Sequence, residues 1–308
     1  MRVFKGLSHL PKFIKPVITI GTFDGVHLGH KKILDRLHKK AKDIGGESIL
    51  ITFEPHPRLV ISKDLSSLAL LNTLDEKIRS LETMEIDNVV VVPFTKEFSE
   101  ISAHSYIQDF IVKHFHPHTF IIGYDHHFGK NRIGNYQLLE KVKDEFGFQL
   151  EEITVQEIEH IAVSSTKIRE ALLQGQIKKA SEFLGKNYSL EGKVIHGEKR
   201  GRLIGFPTAN IEVCAPHKLI PGKGVYLVKV FFDDIIKHGM LNIGVRPTIS
   251  NSNHQSIEVH IFDFDNNLYD NTIRVEFIDR LRDEIKFGSI EELIQQLNRD
   301  KTQALSLL

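Results

Sequence analysis

The strongest constraint on the fold of this chain is a change of sequence pattern near residue 185. Before that point, apolar strand-like runs alternate with amphipathic helical stretches, from the run at 17–20 to the run at 149–153. Such alternation is typical of a parallel sheet with helices on both faces, so we predict an α/β fold for this half. Two further helical stretches, at 166–174 and 177–184, precede the change.

After Gly185, strand-like runs follow one another without long helices, and a helical pattern at 290–297 ends the series. The runs lie at 188–195, 225–232, 239–243, 256–262 and 272–277. This pattern predicts an all-β domain, a small barrel with a terminal helix. We therefore predict two domains, 1–185 and 186–308, a division that suits a chain of 308 residues.

Charge and cysteine content narrow the class of protein. Lys and Arg number 40 and Asp and Glu number 40, so the basic excess of a nucleic-acid-binding protein is missing. One cysteine, Cys214, allows no disulfide within the chain and is typical of a reducing compartment. No apolar run has the length of a bilayer span. We expect a cytoplasmic protein that has neither nucleic acid nor membrane as a partner.

The segment at 21–30 lies where a buried strand-like run changes into a helical pattern. Ligands of open α/β sheets bind beyond the carboxyl ends of strands, and the start of a helix suits phosphate. Gly21, Gly25 and Gly29 allow a ligand to approach the backbone. His27 and His30 are three residues apart on one helical face, so both can donate hydrogen bonds to one phosphate group.

Three other segments of this half carry polar or rigid residues next to strand-like runs or at a helix start. They are Thr-Phe-Glu-Pro-His-Pro at 52–57, Gly-Tyr-Asp-His-His-Phe-Gly-Lys-Asn-Arg-Ile-Gly at 123–134, and Ser-Ser-Thr-Lys-Ile-Arg at 164–169. Ser164, Ser165 and Thr166 can hold phosphates at a helix start. Arg169, one turn later, can bind phosphate oxygens through two N–H groups.

The segment at 21–30 resembles the nucleotidyltransferase superfamily, and all four segments together resemble the FMN adenylyltransferase module of bacterial bifunctional riboflavin kinase/FAD synthetases. The resemblance covers nearly the whole N-terminal half and implies transfer of AMP from ATP to FMN. It implies flavin contacts at Pro55, Pro57 and Phe128. It implies ATP contacts at Gly21, Phe23, Asp24, Gly25, Gly29, Asp125, Ser164, Ser165, Thr166 and Arg169.

Histidines outside the 21–30 segment need separate interpretation. The residue after Asp125 is commonly Phe in the family, whereas here it is His126, which can stack but can also titrate. His114, His116 and His118 alternate, which offers a metal site as an alternative interpretation. Pro117 interrupts them and no cysteine or carboxylate lies among them, so a polar connector is the interpretation that we favour.

A glycine-rich run opens the C-terminal half, and no P-loop motif occurs in the chain. Gly192, Gly197, Gly201 and Gly205 allow a tight loop whose backbone N–H groups can surround phosphates. Lys193 and Arg202 of the same run complete the predicted ATP-binding set for this half.

The run ends at Thr208 and Asn210, which are two residues apart and therefore face the same side of an extended segment. Their side-chain oxygens form a donor set that suits Mg²⁺, with further ligands from water and substrate phosphates. We predict a Mg²⁺ site at these two residues, with ATP as the co-substrate.

The whole run resembles the riboflavin kinase family, as do four later segments. These lie at 222–226, 242–248, 258–263 and 281–287. The resemblance spans roughly 187–290 and implies that Glu258 is the catalytic base, because a kinase needs a carboxylate near the attacking hydroxyl. It also implies that Arg282, Glu284 and Phe287 lie near the flavin.

Together the two resemblances imply an enzyme that uses ATP twice. Riboflavin and ATP would give FMN and ADP, and FMN and ATP would then give FAD and pyrophosphate. One alternative is a nucleotidyltransferase with another acceptor, against which the C-terminal domain argues. A second is an inactive flavin-binding regulator, against which the intact His27, His30, Thr208, Asn210 and Glu258 argue.

Overall fold

The chain forms two compact units, Met1–Ser165 and Thr166–Leu308, in a computed structural model that describes residues 1–62, 64, 68–154, 163–197, 200–245 and 255–308. Two parts of the predicted motifs, 198–199 and 246–248, lie outside the described residues. The change of sequence pattern comes at residue 185, whereas the compact units divide after Ser165. The two helices before residue 185 therefore belong to the second unit.

Six parallel strands form the sheet of the first unit. They are β1 Arg2–Lys5, β2 Val17–Ile20, β3 Ser48–Glu54, β4 Asn88–Pro93, β5 Thr119–Gly123 and β6 Gln149–Ile153. Their order in the sheet is β1-β4-β3-β2-β5-β6. The chain runs from β2 through β3 to β4 on one side and then adds β5 and β6 on the other. The order thus reverses between β2 and β5, which is where a ligand crevice forms in such sheets.

Helices cover both faces of this sheet, as predicted. They are α1 Leu28–Ile44, α2 Pro57–Ile61, α3 Leu74–Glu82, α4 Lys96–Ser99, α5 Ala103–Ser105, the π-helical Tyr106–Val112, α6 Lys113–Phe115, the 3-10 turn Lys130–Arg132 and α7 Tyr136–Phe146. Side chains alternate along β3, so Ile49 and Ile51 pack in one core with Phe110, and Leu50 packs in the other with Leu34. Because both faces of such a strand are buried, its sequence is a continuous apolar run.

The second unit is a closed antiparallel barrel with a terminal helix, which confirms the predicted fold class. Its strands are β7 Ser189–Ile195, β8 Ala209–Glu212, β9 Gly224–Phe232, β10 Ile235–Val245, β11 Gln255–Ile261 and β12 Thr272–Arg282. They close in the order β10-β11-β8-β7-β12-β9. The helices are α8 Ser165–Leu173, α9 Ile177–Leu184, α10 Arg200–Leu203 and α11 Ile290–Ser306.

Several elements of the second unit are longer than the sequence predicted, and one strand was missed. Strands β10 and β12 exceed the apolar runs at 239–243 and 272–277, and α11 continues to Ser306. The short strand β8 was not recognised. Polar residues on the outer face of a barrel strand or a surface helix weaken the apolar pattern, so pairing partners rather than local sequence decide these ends.

Helices α8 and α9 pack within the barrel unit. Ile177 and Leu184 of α9 are buried. The backbone N–H of Gly222 donates to the carbonyl of Leu172 at 2.9 Å. Lys178 of α9 forms an ion pair of 2.8 Å with Asp279 of β12.

This packing gives a prediction about fragments. A fragment of residues 166–308 should unfold at a melting temperature at least roughly 10 °C higher than one of residues 186–308. The shorter fragment loses Ile177 and Leu184, and each buried aliphatic side chain contributes about 1.5–3 kcal/mol. Calorimetry of both fragments makes the comparison, and equal melting temperatures would show that α8 and α9 add nothing to the barrel.

Candidate active sites

The loop that follows β2 leaves the sheet at the crevice between β2 and β5. The N–H of Gly21 still bonds to the carbonyl of Ile51 at 3.0 Å, and the chain then turns sharply. Phe23 and Val26 have positive φ angles of 47° and 44°, which L-residues adopt at a cost of about 1–3 kcal/mol each. Gly25, at φ 89°, adopts such an angle without that cost. The surroundings must therefore hold this loop in place.

Asp24 is the residue that fastens the loop. Its side chain is buried, with 3% of its surface exposed. The carboxylate accepts the backbone N–H of Leu71 at 2.9 Å and that of Asn72 at 3.1 Å. Its own carbonyl accepts the Ser165 hydroxyl at 3.0 Å. The structure thus gives Asp24 a scaffolding role, and the ATP contact that the resemblance implies for it remains a prediction.

His27 and His30 lie together at the start of α1. His27 is the N-cap of the helix, and its Nδ1 accepts the backbone N–H of His30 at 3.3 Å. The two rings are stacked, with centroids 3.7 Å apart and an angle of 13° between their planes. Phe23 packs on the His30 ring at 4.8 Å. The predicted pair is therefore brought together, although His27 caps the helix rather than lying within it.

The His30 ring lies in a buried and electropositive place. Burial lowers the pKa of His30 well below its ordinary value, and the neighbouring His27 and Lys77 lower it further. Its Nδ1 is buried and has no hydrogen-bond partner among the described residues. The ring is therefore uncharged at neutral pH, with its proton on Nε2, because a buried N–H without an acceptor is costly.

The remaining residues predicted to bind ATP lie in α1, at the start of α8 and just beyond β5. Gly29 is buried in the first turn of α1. Ser165 begins α8 and reaches the loop through Asp24, and Thr166 and Arg169 follow in the same helix. Asp125 is exposed just beyond β5, the strand that neighbours β2. The phosphate contacts of these residues and of Ser164 remain predictions.

The residues predicted to contact the flavin differ in exposure. Pro55 is exposed at the carboxyl end of β3, and Pro57 is the first residue of α2. Phe128, by contrast, is 4% exposed and stacks on Tyr106 at 4.8 Å within the core. His126 in turn stacks on Phe128 at 5.9 Å. The flavin contacts of Pro55, Pro57 and Phe128 remain predictions.

In the barrel, strand register assembles a row of polar side chains. Glu258 of β11 is paired with Asn242 of β10 on one side and with Asn210 of β8 on the other. Directly paired residues share one face of a sheet, so the three side chains lie side by side. Val259, the next residue in β11, is buried, so the row lies on the outer face. Asn242 was not predicted as a site residue, since only the pairing places it beside Glu258.

The glycines of the run at 192–205 serve close packing around this row. A side chain at Gly197 would overlap the Asn210 amide, and one at Gly201 would overlap the carbonyl of Phe206. Gly205 has a φ of 83°. Gly192 lies within β7 and not in the loop, which begins only after Ile195 and contains α10. The predicted loop is thus shorter than the glycine-rich run.

The two basic residues of the run lie in different places. Lys193, in β7, forms an ion pair of 2.7 Å with Asp270. Arg202, in α10, lines a cavity together with Thr208. The far side of the cavity is the connection between β11 and β12, through Asn266, Asn267 and Tyr269. Arg202 and Thr208 thus share a cavity, whereas the ATP contacts predicted for Lys193 and the four glycines remain predictions.

The C-terminal helix contains Asp300, which binds one of the residues predicted to contact the flavin, Arg282. The Nε of Arg282 donates to both carboxylate oxygens of Asp300, at 3.0 and 2.9 Å, and Asp300 is 1% exposed. The guanidinium lies 5.9 Å from the centre of the Phe287 ring. A side chain at Gly244 would overlap the Glu284 carboxylate, so Glu284 lies against β10. Asp300 was missed because its partner is 18 residues away in the chain.

Among the described residues, no group of three or more His, Cys, Asp or Glu side chains could hold a metal ion. No helix among them is long and apolar enough to cross a bilayer.

The buried ring of His126 gives a prediction of pH dependence. Burial, with the charges of His127 and Arg132, lowers the pKa of His126 to about 4. The unfolded chain protonates this histidine near pH 6.5 and the folded chain does not, so stability falls as the pH drops below that value. His126→Phe should remove about 2 kcal/mol of the loss between pH 8 and pH 5.

Urea unfolding of wild type and His126→Phe at several pH values measures this difference. The values at pH 8 are the control, since the histidine is neutral there in both states. Parallel stability curves for the two proteins from pH 8 to pH 5 would contradict the prediction.

Comparison with known proteins matches a different family model to each half of the chain. A family model described as FAD synthetase matches residues 11–167, and one described as riboflavin kinase matches residues 184–308. A crystal structure described as that of a macrolide-efflux protein from Streptococcus pneumoniae is 28% identical, with a TM-score of 0.88 and 98% of each chain covered.

Curated relatives match over nearly their whole length. Proteins named bifunctional riboflavin kinase/FMN adenylyltransferase are 40% identical in Haemophilus influenzae, over 97% of both chains, and 35% identical in Bacillus subtilis, over 94% of this chain and 92% of that one. The protein of that name from Escherichia coli strain K12 is 34% identical, over 99% of this chain and 97% of that one. The chain therefore belongs to the family of bifunctional riboflavin kinase/FMN adenylyltransferases.

Proposed function

We propose that the first unit makes FAD from FMN and ATP and that the barrel unit makes FMN from riboflavin and ATP. The observation that carries the proposal is that each unit collects the polar residues of its own motifs at one place. These are the stacked His27–His30 pair in the first unit and the Asn210–Glu258 pair in the barrel.

In the first unit, the FMN phosphate attacks the α-phosphate of ATP, and pyrophosphate leaves. In this proposal the phosphates lie in the crevice beside β2, at the start of α1, whose first N–H groups and positive dipole end attract anions. The Nδ1 of His27 is occupied as an acceptor, so its Nε2 carries the proton. His27 and His30 can thus each donate one N–H to the phosphate as negative charge develops.

In the barrel unit, the riboflavin 5′-hydroxyl attacks the γ-phosphate of ATP, and ADP leaves. Glu258 accepts the proton of that hydroxyl, a role that suits a carboxylate in the middle of a polar row. The cavity bounded by Arg202, Thr208 and Tyr269 is the place for the nucleotide. Arg282 is held by Asp300, and with Glu284 and Phe287 it would border the flavin.

Thr208 and Asn210 fit a Mg²⁺ ion. Both carry side-chain oxygens, they lie two residues apart in an extended segment, and Gly197 leaves room beside the Asn210 amide. A magnesium ion held there would neutralise charge on the ATP phosphates. Both steps consume ATP, and the single cysteine suits a reducing compartment, so we propose a cytoplasmic setting.

Product analysis tests the function as a whole. Purified protein with riboflavin, ATP and Mg²⁺ should yield first FMN and then FAD, with ADP and pyrophosphate as the by-products. An inactive flavin-binding regulator would bind the flavin and leave it unchanged. A nucleotidyltransferase for another acceptor would form no FAD from FMN.

Replacing Glu258 by Gln should lower FMN formation by ~10²–10⁴-fold, because the variant lacks the general base but keeps the shape of the side chain. Conversion of supplied FMN to FAD should continue at the normal rate, since it takes place in the other unit. Separate assays of the two steps measure this. Equal loss of both activities in a folded variant would contradict the assignment of Glu258 to the kinase step.

His27→Ala and His30→Ala should each lower FAD formation from FMN by ~10²–10³-fold, the usual effect of removing a preorganised donor. The kinase step should be unchanged. If the histidines served only to cap α1, the loss would be about 1 kcal/mol of stability with near-normal turnover. Rates and melting temperatures of both variants separate the two outcomes.

A further inference from the structure

Lys77 is a buried lysine of the first unit that the sequence motifs do not include. It lies in the second turn of α3, after the capping box of Thr73 and Glu76, and 4% of its surface is exposed. Its Nζ donates to the hydroxyl of Thr52 at 3.2 Å, its one hydrogen-bond partner in the part of the chain that the structure describes. Burying an ammonium group with one hydrogen-bond partner costs folding free energy, which indicates that Lys77 has a role beyond packing.

The contact with Thr52 reaches the loop that precedes α1. The Thr52 Oγ1 lies 3.3 Å from the carbonyl of Thr22, the second residue of that loop. A lysine can only donate, so the Thr52 oxygen accepts from Lys77 and its O–H donates to Thr22. The ammonium group thereby sets the direction of the hydroxyl that ties β3 to the loop.

The charges around Lys77 connect it with His30. Burial lowers the pKa of Lys77, and the carboxylates of Asp24 and Glu54 act in the opposite sense. Burial also raises the pKa of Glu54, against the influence of Lys77, and Asp75 raises it further. Asp24 already accepts the backbone N–H groups of Leu71 and Asn72. Lys77 also contributes, after burial and His27, to the low pKa of His30.

We propose that Lys77 is a positioning residue for adenylyl transfer, which orients the Thr22–His27 loop through its hydrogen bond to Thr52. With 4% of its surface exposed, Lys77 acts through these neighbours and does not touch the triphosphate. The inference rests on the role proposed for His30. An uncharged His30 keeps its Nε2–H as a donor while its buried Nδ1 remains without a proton.

Three variants of the full-length protein separate the two effects. Lys77→Met keeps the length of the side chain but removes the charge and the donor, Lys77→Arg keeps both, and Thr52→Val removes only the hydroxyl. For each, the rate of FAD formation from FMN is measured from pH 5 to pH 9, with kcat and KM obtained separately. The His30 titration is followed by NMR, and circular dichroism with thermal melting of each full-length variant reports on folding of the first unit.

In Lys77→Met, the pKa of His30 should rise, because a neighbouring positive charge is removed, and the acidic limb of kcat should move to higher pH with it. At the optimum pH, kcat should fall about tenfold with little change in the KM for FMN. Lys77→Arg should restore both properties. Thr52→Val should lower kcat without moving the acidic limb, because the charge is still present.

An unmoved His30 titration together with normal kcat in Lys77→Met would overturn the proposal. If that variant does not fold, Thr52→Val decides, because normal kcat in that variant would show that the loop does not depend on the Lys77–Thr52 contact. Failure of the proposed function would give a different experimental result. Near-normal FAD formation in His30→Ala would refute the role of His30 itself, whatever Lys77 does to its titration.

Discussion

The hydrogen bonds of the buried Asp24 carboxylate with the backbone N–H groups of Leu71 and Asn72 hold in shape the loop that we propose as part of the adenylyltransferase site. The loop around Asp24 contains two non-glycine residues with positive φ, Phe23 and Val26, and such a loop would relax if it were free. Because it is fastened, His27 caps α1 and its ring stacks on His30. The start of the helix is thereby kept open towards the crevice at the strand ends.

In the barrel unit, strand pairing brings the polar side chains of the proposed site together. The register of β10, β11 and β8 aligns Asn242, Glu258 and Asn210 on one outer face, and a shift by one residue would turn Glu258 inward. Gly197 allows the loop after β7 to close over Asn210. The first unit thus offers helix N–H groups and imidazoles, which suit phosphates, whereas the barrel offers carboxylate and amide oxygens, which suit a proton and a cation.

Buried ionic groups lie beside both sites, and the sequence motifs include only some of them. The Nε of Arg282 donates to both carboxylate oxygens of Asp300. The Nζ of Lys77 donates to the hydroxyl of Thr52, which contacts the loop before α1. Breaking such a buried contact by removing one partner leaves an uncompensated polar group, which typically costs several kcal/mol. Variants at these positions therefore need a folding control before any loss of rate is assigned to chemistry.

The sequence by itself determined the two fold classes, the family and the motif positions at strand ends, because apolar periodicity and glycine-rich turns are local properties. It did not reveal β8, the grouping of α8 and α9 with the barrel, the scaffolding role of Asp24 or the place of Lys77. Each of these depends on a partner far away in the chain: Lys77 and Thr52 are 25 residues apart, and Asp24 and Leu71 are 47 apart. Only tertiary packing brings such groups within hydrogen-bond distance, and burial then decides which of them are charged.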